Sequence, residues 1–468
     1  MSRLIKRSKH IFYLIGQSLG GEDHSFTKGS IKTALIILSV PMIIEMVFES
    51  LFAVVDIYFV SKVGTAAVAS VGLTESVMTL VYSLAFGVSM AATAMVSRRT
   101  GEGDHTGAAK GAAQSLIIAL LLSVTLAIVG LSYSNEILTL MGAEPALAEY
   151  GSIYLSWMFG GNITIVFLFV INGIFRGVGK PRIAMFSLFV SNGLNIILDP
   201  CLILGLGFFP ELGLKGAAIA TTIGRGLGVA FQLFHLFKGH HSLKFSSDMF
   251  IPDLTILRRL LKIAAGGVGQ MLISSAAWIF LARIVAEYGE AAFAGYTISI
   301  RVIIFAILPA WGLSNAAATL VGQNLGAGEP ERAEKSVWMA TKANLVFLGI
   351  LALSFGIFAE EVISIFDDTP DVLAVAIPCL QIICLGYVPF GLAMVLSQSF
   401  NGAGDTRTPT LINFICEWVF QIPVAYLMAK TFGLGPYGVF LTVALTSVVM
   451  ATLFFIRFRQ GNWKTQKV

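Results

Sequence analysis

Apolar residues run along this chain in long blocks separated by short polar gaps. Hydropathy places the blocks at 34–61, 66–96, 112–133, 150–174, 182–206, 213–236, 260–286, 291–322, 337–359, 372–399, 409–429 and 437–456. Each reaches the roughly 20 residues a helix needs to cross a bilayer, and none alternates with the period of two that marks a barrel strand. The pattern predicts an all-α membrane protein with twelve transmembrane helices.

Composition agrees and narrows the classes. Hydrophobic residues make up 56 % of the chain and charged residues only 12 %, whereas a soluble domain carries about 25 % charge. A soluble enzyme is excluded, and nucleic acid is not an expected partner. No G-x-x-x-x-G-K-[ST] loop is present and no soluble stretch is long enough for a nucleotide domain, so ATP-driven transport lacks its machinery. No cofactor is expected. Cys201, Cys379, Cys384 and Cys416 all fall inside apolar blocks and read as buried structural thiols. The apolar stretch at 11–15 is too short for a cleavable signal peptide, and 1–33 reads as a basic cytoplasmic tail.

Charge sets the orientation. Most of the 31 Lys and Arg lie at the amino terminus, in the loops from even to odd helices, and at 457–468. The other loops carry Glu136, Glu144, Glu360, Glu361, Asp367 and Asp368. The positive-inside rule then puts both termini in the cytoplasm.

The chain also repeats. An offset of 225 residues aligns Gly64-Thr-Ala-Ala-Val-Ala69 with Gly289-Glu-Ala-Ala-Phe-Ala294, and Phe175-Arg-Gly-Val-Gly-Lys-Pro-Arg182 with Phe400-Asn-Gly-Ala-Gly-Asp-Thr-Arg407. The same offset pairs Gly101, Gly103, Ala108 and Lys110 with Gly326, Gly328, Ala333 and Lys335. Two pseudo-symmetric six-helix lobes follow, at 34–237 and 260–456, joined by a hydrophilic linker at 238–259. Six is even, so the repeats are parallel, and two such lobes rocking about a cleft are the architecture of a secondary transporter.

The loop Gly322-Gln-Asn-Leu-Gly-Ala-Gly-Glu-Pro-Glu-Arg-Ala333, the loop Asn401-Gly-Ala-Gly-Asp-Thr-Arg-Thr-Pro409 and the run Asn195-Ile-Ile-Leu-Asp-Pro200 together resemble the MATE family, the multidrug and toxic compound extrusion transporters. The likeness spans 34–456. It implies an exporter that exchanges protons or sodium for small organic, often cationic, compounds, working as a monomer in a bacterial plasma (inner) membrane among its lipids. A flippase for lipid-linked oligosaccharides, from the same superfamily, is the alternative. It calls for a basic lining, whereas the deep charges here are mostly acidic.

Six acids lie inside apolar blocks: Glu45, Glu49, Asp56, Glu75, Asp199 and Glu417. An acid at the centre of a span costs about 2.5–3.5 kcal/mol on insertion scales, so these residues call for partners or a wet face. Spacings of four and seven keep Glu45, Glu49 and Asp56 on one stripe of the first helix, about 16 Å long. On the fifth helix Asn192, Asn195 and Asp199 share a face, and Thr221 opens the sixth at similar depth. Asp56, Asn195, Asp199 and Thr221 are therefore expected to meet in one polar cluster.

That cluster resembles the coupling site of MATE proteins that work through their amino-terminal lobe. A proton is one expected occupant, and sodium on Asp56, Asn195 and Asp199 is the other. Pro200 removes a helix hydrogen bond to Ile196 and is expected to let the helix bend as the carboxylate changes state. Glu45, Glu49, Met46, Gln270, Trp278 and Glu417 are expected in the substrate cavity, where carboxylates, aromatics and methionine suit a lipophilic cation. Adding 225 to Glu45, Glu49, Asp56 and Asp199 gives Gln270, Ser274, Leu281 and Val424, so coupling is expected to be asymmetric. The roles of Glu75, Arg283 and Arg301 stay open.

Overall fold

The computed structural model describes residues 13–20, 24–207, 209–238, 243–466 and 468; the side chains of residues 53, 54, 56 and 57 lie outside the description. Its helices are α1 (Ile31–Ser61), α2 (Thr65–Glu102), α3 (His105–Leu140), α4 (Pro145–Gly160), α5 (Asn162–Val178), α6 (Pro181–Leu204), α7 (Leu214–Phe237), α8 (Leu254–Ala286), α9 (Glu290–Gly326), α10 (Pro330–Ile357), α11 (Ala359–Ser364), α12 (Pro370–Cys384), α13 (Tyr387–Gly402), α14 (Arg407–Thr431) and α15 (Pro436–Arg459). Ten of them are long and apolar enough to cross a membrane. The pairs α4–α5 and α12–α13, bent by 40° and 55°, complete twelve spans.

Every predicted span is present, and the differences have simple causes. Several helices run past their apolar blocks, α2 to Glu102 and α10 from Pro330, because a charged helix end is invisible to hydropathy but still hydrogen-bonds along the axis. The fourth and tenth spans each break, the tenth between Cys384 and Tyr387, just before Pro389, whose missing N–H leaves the Leu385 carbonyl without its helical donor. Gly386 lies at this break, where a Cβ would stand 3.0 Å from the Ala444 Cα.

The loop glycines carry the repeat into the backbone. Gly64 and Gly289, Gly103 and Gly328, and Gly179 and Gly404 all have positive φ, a region costly to residues with a Cβ. Equivalent loops thus make equivalent turns.

The chain divides into two compact units. One holds Ile44–Val268; the other holds Ser25–Ile43 and Gly269–Val468. The boundaries of these units fall inside α1 and α8, which each change units partway along, at positions 225 residues apart. Packing is the reason. Leu35, Leu38 and Met42 of α1 belong to a core with Leu313, Leu320, Val337 and Phe400, and a Cβ on Gly312 would stand 2.6 Å from the Met42 carbonyl oxygen. In the other unit Gly87 admits Ala264 and Val268 of α8 in the same manner.

The linker is fastened within the first unit. Gln114 Nε2 of α3 donates to the carbonyls of Met249 and Ile251, both at 2.8 Å, and Lys110 reaches Asp253 at 2.7 Å. Chain ends of the second unit are tied as well. Arg332 donates to the carbonyls of Phe26, Lys28 and Gly29, and Trp463 is fully buried against Phe458.

Candidate coupling and substrate site

Within the first unit α6 and α7 cross closely because glycine faces the contact. A Cβ on Gly224 would stand 2.7 Å from the Ser191 carbonyl oxygen, and one on Gly228 2.9 Å from that of Ser187. This approach brings Asn195 and Asp199 of α6 to Thr221 of α7. With the Asn195 amide turned to satisfy both neighbours, its Nδ2 donates to Asp199 Oδ2 at 2.8 Å. Its Oδ1 then accepts from Thr221 Oγ1 at 3.2 Å and from the Thr221 backbone N–H at 3.0 Å.

Asp199 is 0 % exposed, and Asn195 and Thr221 are buried with it. The three residues expected together from helical spacing are together. Asp56, the fourth, has its side chain outside the described residues. Pro200 sits four residues before the end of α6, which stays one helix to Leu204.

In this orientation the Asn195 N–H faces the Asp199 carboxylate and its carbonyl faces Thr221, so Asp199 supplies the charge of the three and Asn195 links it to α7. A carboxylate removed from water is costly unless hydrogen bonds, a proton or a cation compensate it.

A second polar network lies on the same unit. Glu45 of α1, 1 % exposed, contacts Arg176 of α5 and accepts from Asn172 Nδ2 at 3.2 Å. Gln232 of α7 binds Asn172 Oδ1 and the Ser187 hydroxyl. One turn along α1, Glu49 accepts from Asn192 Nδ2 of α6 at 3.2 Å. Glu45, expected to line a substrate cavity, is buried and paired with a base, while Glu49 and Met46 are half-buried.

In the second unit Glu417 of α14 accepts from the Ser274 hydroxyl of α8 at 3.0 Å, and its other oxygen is buried without a partner. The backbone around it is wound as a π-helix over Phe414–Gln421, a winding that recurs at functional positions. Trp418 anchors the turn through Nε1 on the Ile273 carbonyl, 3.0 Å away. Trp278 packs partly buried against the core around Leu281, Tyr296 and Phe440. Gln270 is buried and locked to Asn401, so it too is occupied in holding the unit together.

The 225-residue offset relates these pairs. Glu49–Asn192 corresponds to Ser274–Glu417, with the acid exchanged from one helix to the other, and Glu45–Arg176 corresponds to Gln270–Asn401. Sequence reasoning missed Arg176 and the match of Asn192 to Glu417. Applying the offset to Asn192 and Arg176, as was done for the acids, would have found the equivalent positions.

The chain matches the MatE family profile over residues 41–201 and 268–427. It is 29 % identical over 442 residues to the probable multidrug resistance protein NorM of Thermotoga maritima, covering 94 % of each chain. It is 26 % identical over 432 residues to an FAD transporter of Shewanella oneidensis, covering 92 % and 94 %. Among solved structures it resembles an outward-facing multidrug resistance MATE family transporter of the MOP superfamily. There the TM-score is 0.89 and the identity 28 %, over 95 % of this chain and 100 % of that one. With the repeat, the twelve spans and the matched profile in hand, this chain belongs to the MATE family, as a multi-pass membrane transporter.

Proposed function

We propose that the chain is a cation-coupled antiporter that exports organic, cationic amphiphilic compounds by alternating access, as a monomer in a bacterial inner membrane with both termini cytoplasmic. Protons or sodium are exchanged at Asp56, Asn195, Asp199 and Thr221. The buried Asp199–Asn195–Thr221 cluster carries the reading, because a carboxylate that deep changes its neighbours' hydrogen bonding when its charge is neutralised. Pro200 follows directly and lacks the N–H that would stiffen α6 there, so bending of that last turn is the coupling step.

Glu49 and Glu417 are the substrate-contacting acids, with Met46 and Trp278 as adaptable apolar surface. Glu45 and Gln270 serve the lobes' internal packing instead. The names of the relatives support transport of small organic molecules: multidrug resistance for one, FAD transport for another.

Purified protein in liposomes, loaded with ethidium and given a pH gradient or a sodium gradient in separate runs, tests this. Efflux should follow one gradient and collapse in Asp199→Asn with ethidium binding retained. Normal gradient-driven efflux in Asp199→Asn would refute the assignment.

A further inference from the structure

Two repeat-equivalent positions solve one packing problem with different chemistry. In the first unit Glu45 of α1 meets Arg176 of α5, 131 residues later. In the second, Gln270 of α8 meets Asn401 of α13 across the same 131 residues. There each amide donates to the other at 3.1 Å, and Gln270 Nε2 also reaches the Thr406 carbonyl at 3.2 Å. The position therefore fastens the first span of each lobe to its fourth, and the second lobe shows that the fastening needs no charge.

We infer that Arg176 is a positioning residue whose contact with Glu45 is a charge lock, fixing α1 on α5 and keeping Glu45 out of ion and substrate exchange. This rests on the reading of Asp199 as the coupling carboxylate, since the lock leaves exchange to that cluster.

The chemistry follows from burial. Arg176 is 13 % exposed and Glu45 1 %. A guanidinium stays protonated at any ordinary pH, so it needs a buried anion beside it, and Glu45 is the acid in contact. Among the described residues Arg176 of α5 is in contact with Glu45, and Glu49 lies one turn along its own helix. Asn172 of α5, Ser187 of α6 and Gln232 of α7 complete the network and are neutral. Without Arg176, Glu45 faces Glu49 with no compensating charge and is driven to bind a proton. A second proton-binding carboxylate then enters the transport cycle.

The repeat supplies the rescue. Arg176→Asn should slow ethidium efflux from proteoliposomes about tenfold at neutral pH and make its pH profile steeper, as an uncompensated buried charge requires. Glu45→Gln with Arg176→Asn reproduces the second lobe's amide pair. It should return the rate to within about twofold and restore the wild-type profile, because coupled neighbours are non-additive. Arg176→Lys keeps the charge and should retain the wild-type pH profile. If Arg176→Asn unfolds in detergent, the double variant should recover the melting temperature.

The inference is overturned if the double variant is as impaired or as unstable as Arg176→Asn, or if Arg176→Asn keeps the wild-type rate and profile. Asp199→Asn run in parallel separates the two readings. Loss of gradient-driven efflux there, with no rescue in the double variant, refutes only the lock; full efflux in Asp199→Asn refutes the coupling assignment.

Discussion

Gly224 allows the Asp199–Asn195–Thr221 cluster to be disturbed without altering a polar group. An alanine Cβ there stands 2.7 Å from the Ser191 carbonyl oxygen and 3.1 Å from Asn195 Cβ, while ordinary contact begins at 3.4 Å. Backbone cannot swing aside as a side chain does, so Gly224→Ala must push α7 off α6 by about 0.7 Å along that line. The Asn195–Thr221 bonds, 3.2 and 3.0 Å long, then stretch to about 3.9 and 3.7 Å, beyond hydrogen-bond reach.

Losing two bonds at about 1 kcal/mol each, with about 1–3 kcal/mol of overpacking and a gain of about 1 kcal/mol in helix propensity, makes the expected net destabilisation about 2–4 kcal/mol. The control is on the same helix. Gly226 meets nothing nearer than Thr164 Cγ2 at 3.7 Å, so Gly226→Ala shares the gain in helix propensity, about 1 kcal/mol, without the clash. In proteoliposomes driven by the proposed coupling gradient, Gly224→Ala should lose about tenfold in ethidium efflux and melt earlier, as the 2–4 kcal/mol implies. Gly226→Ala should do neither. Equal behaviour of the two variants would refute the claim that close approach of α6 and α7 positions the cluster.

Two further outcomes follow from the tethers. The Lys110 ammonium, with the backbone N–H of Ile256, holds the Asp253 carboxyl below its usual range. Its contribution to docking the linker is therefore present above the ordinary carboxylate range and is lost as pH falls through the depressed folded value. Hydrogen exchange at residues 247–253, taken relative to the intrinsic rate at each pH, should accelerate on acidification in the wild type. In Lys110→Ala it should be fast already at neutral pH, and unchanged exchange in that variant would contradict the tether. Trp463 stacks on Phe458 with ring centroids 4.8 Å apart and donates to the Phe458 carbonyl at 3.1 Å. Trp463→Ala should cost about 3–5 kcal/mol, read as a lowered melting temperature in detergent; an unchanged melting curve would mean the tail contributes nothing to the unit.

Much of this was legible in the chain because lipid imposes simple rules. A helix must satisfy its backbone internally and be apolar over a bilayer thickness, so the twelve spans stood out. Helical spacing alone put Asn195 and Asp199 on one face. The break in the fourth span was hidden because hydropathy sums over a window and does not register a change of axis, whereas in the tenth Pro389 marks the place in the sequence. The exchange of units midway along α1 and α8 was hidden for another reason. Gly87 and Gly312 look like any small residue in a span until the carbonyls of Ala264 and Met42 are seen lying against them. Glu45 was legible as a deep acid but not as a paired one, since Arg176 reads as a loop-end base in the motif after the fourth span.

The comparison of the two lobes separates what the scaffold needs from what the charges are for. A bond between the first and fifth spans of a lobe could be made by two neutral side chains, as Gln270 and Asn401 do between the first and fourth. Instead, each lobe keeps one carboxylate at this junction, on α1 in the first unit as Glu49 and on α14 in the second as Glu417, each with a neutral donor opposite. If only the bond mattered, there would be no reason to retain an acid costing about 2.5–3.5 kcal/mol in a span, in two different places. An acid kept in each lobe while its carrier changes is what a requirement for negative potential at this junction would produce, and it supports the cationic substrate proposed above. The asymmetry of the molecule then lies elsewhere, in Asp199 and its neighbours, whose counterparts Phe420 and Val424 have no charge to neutralise.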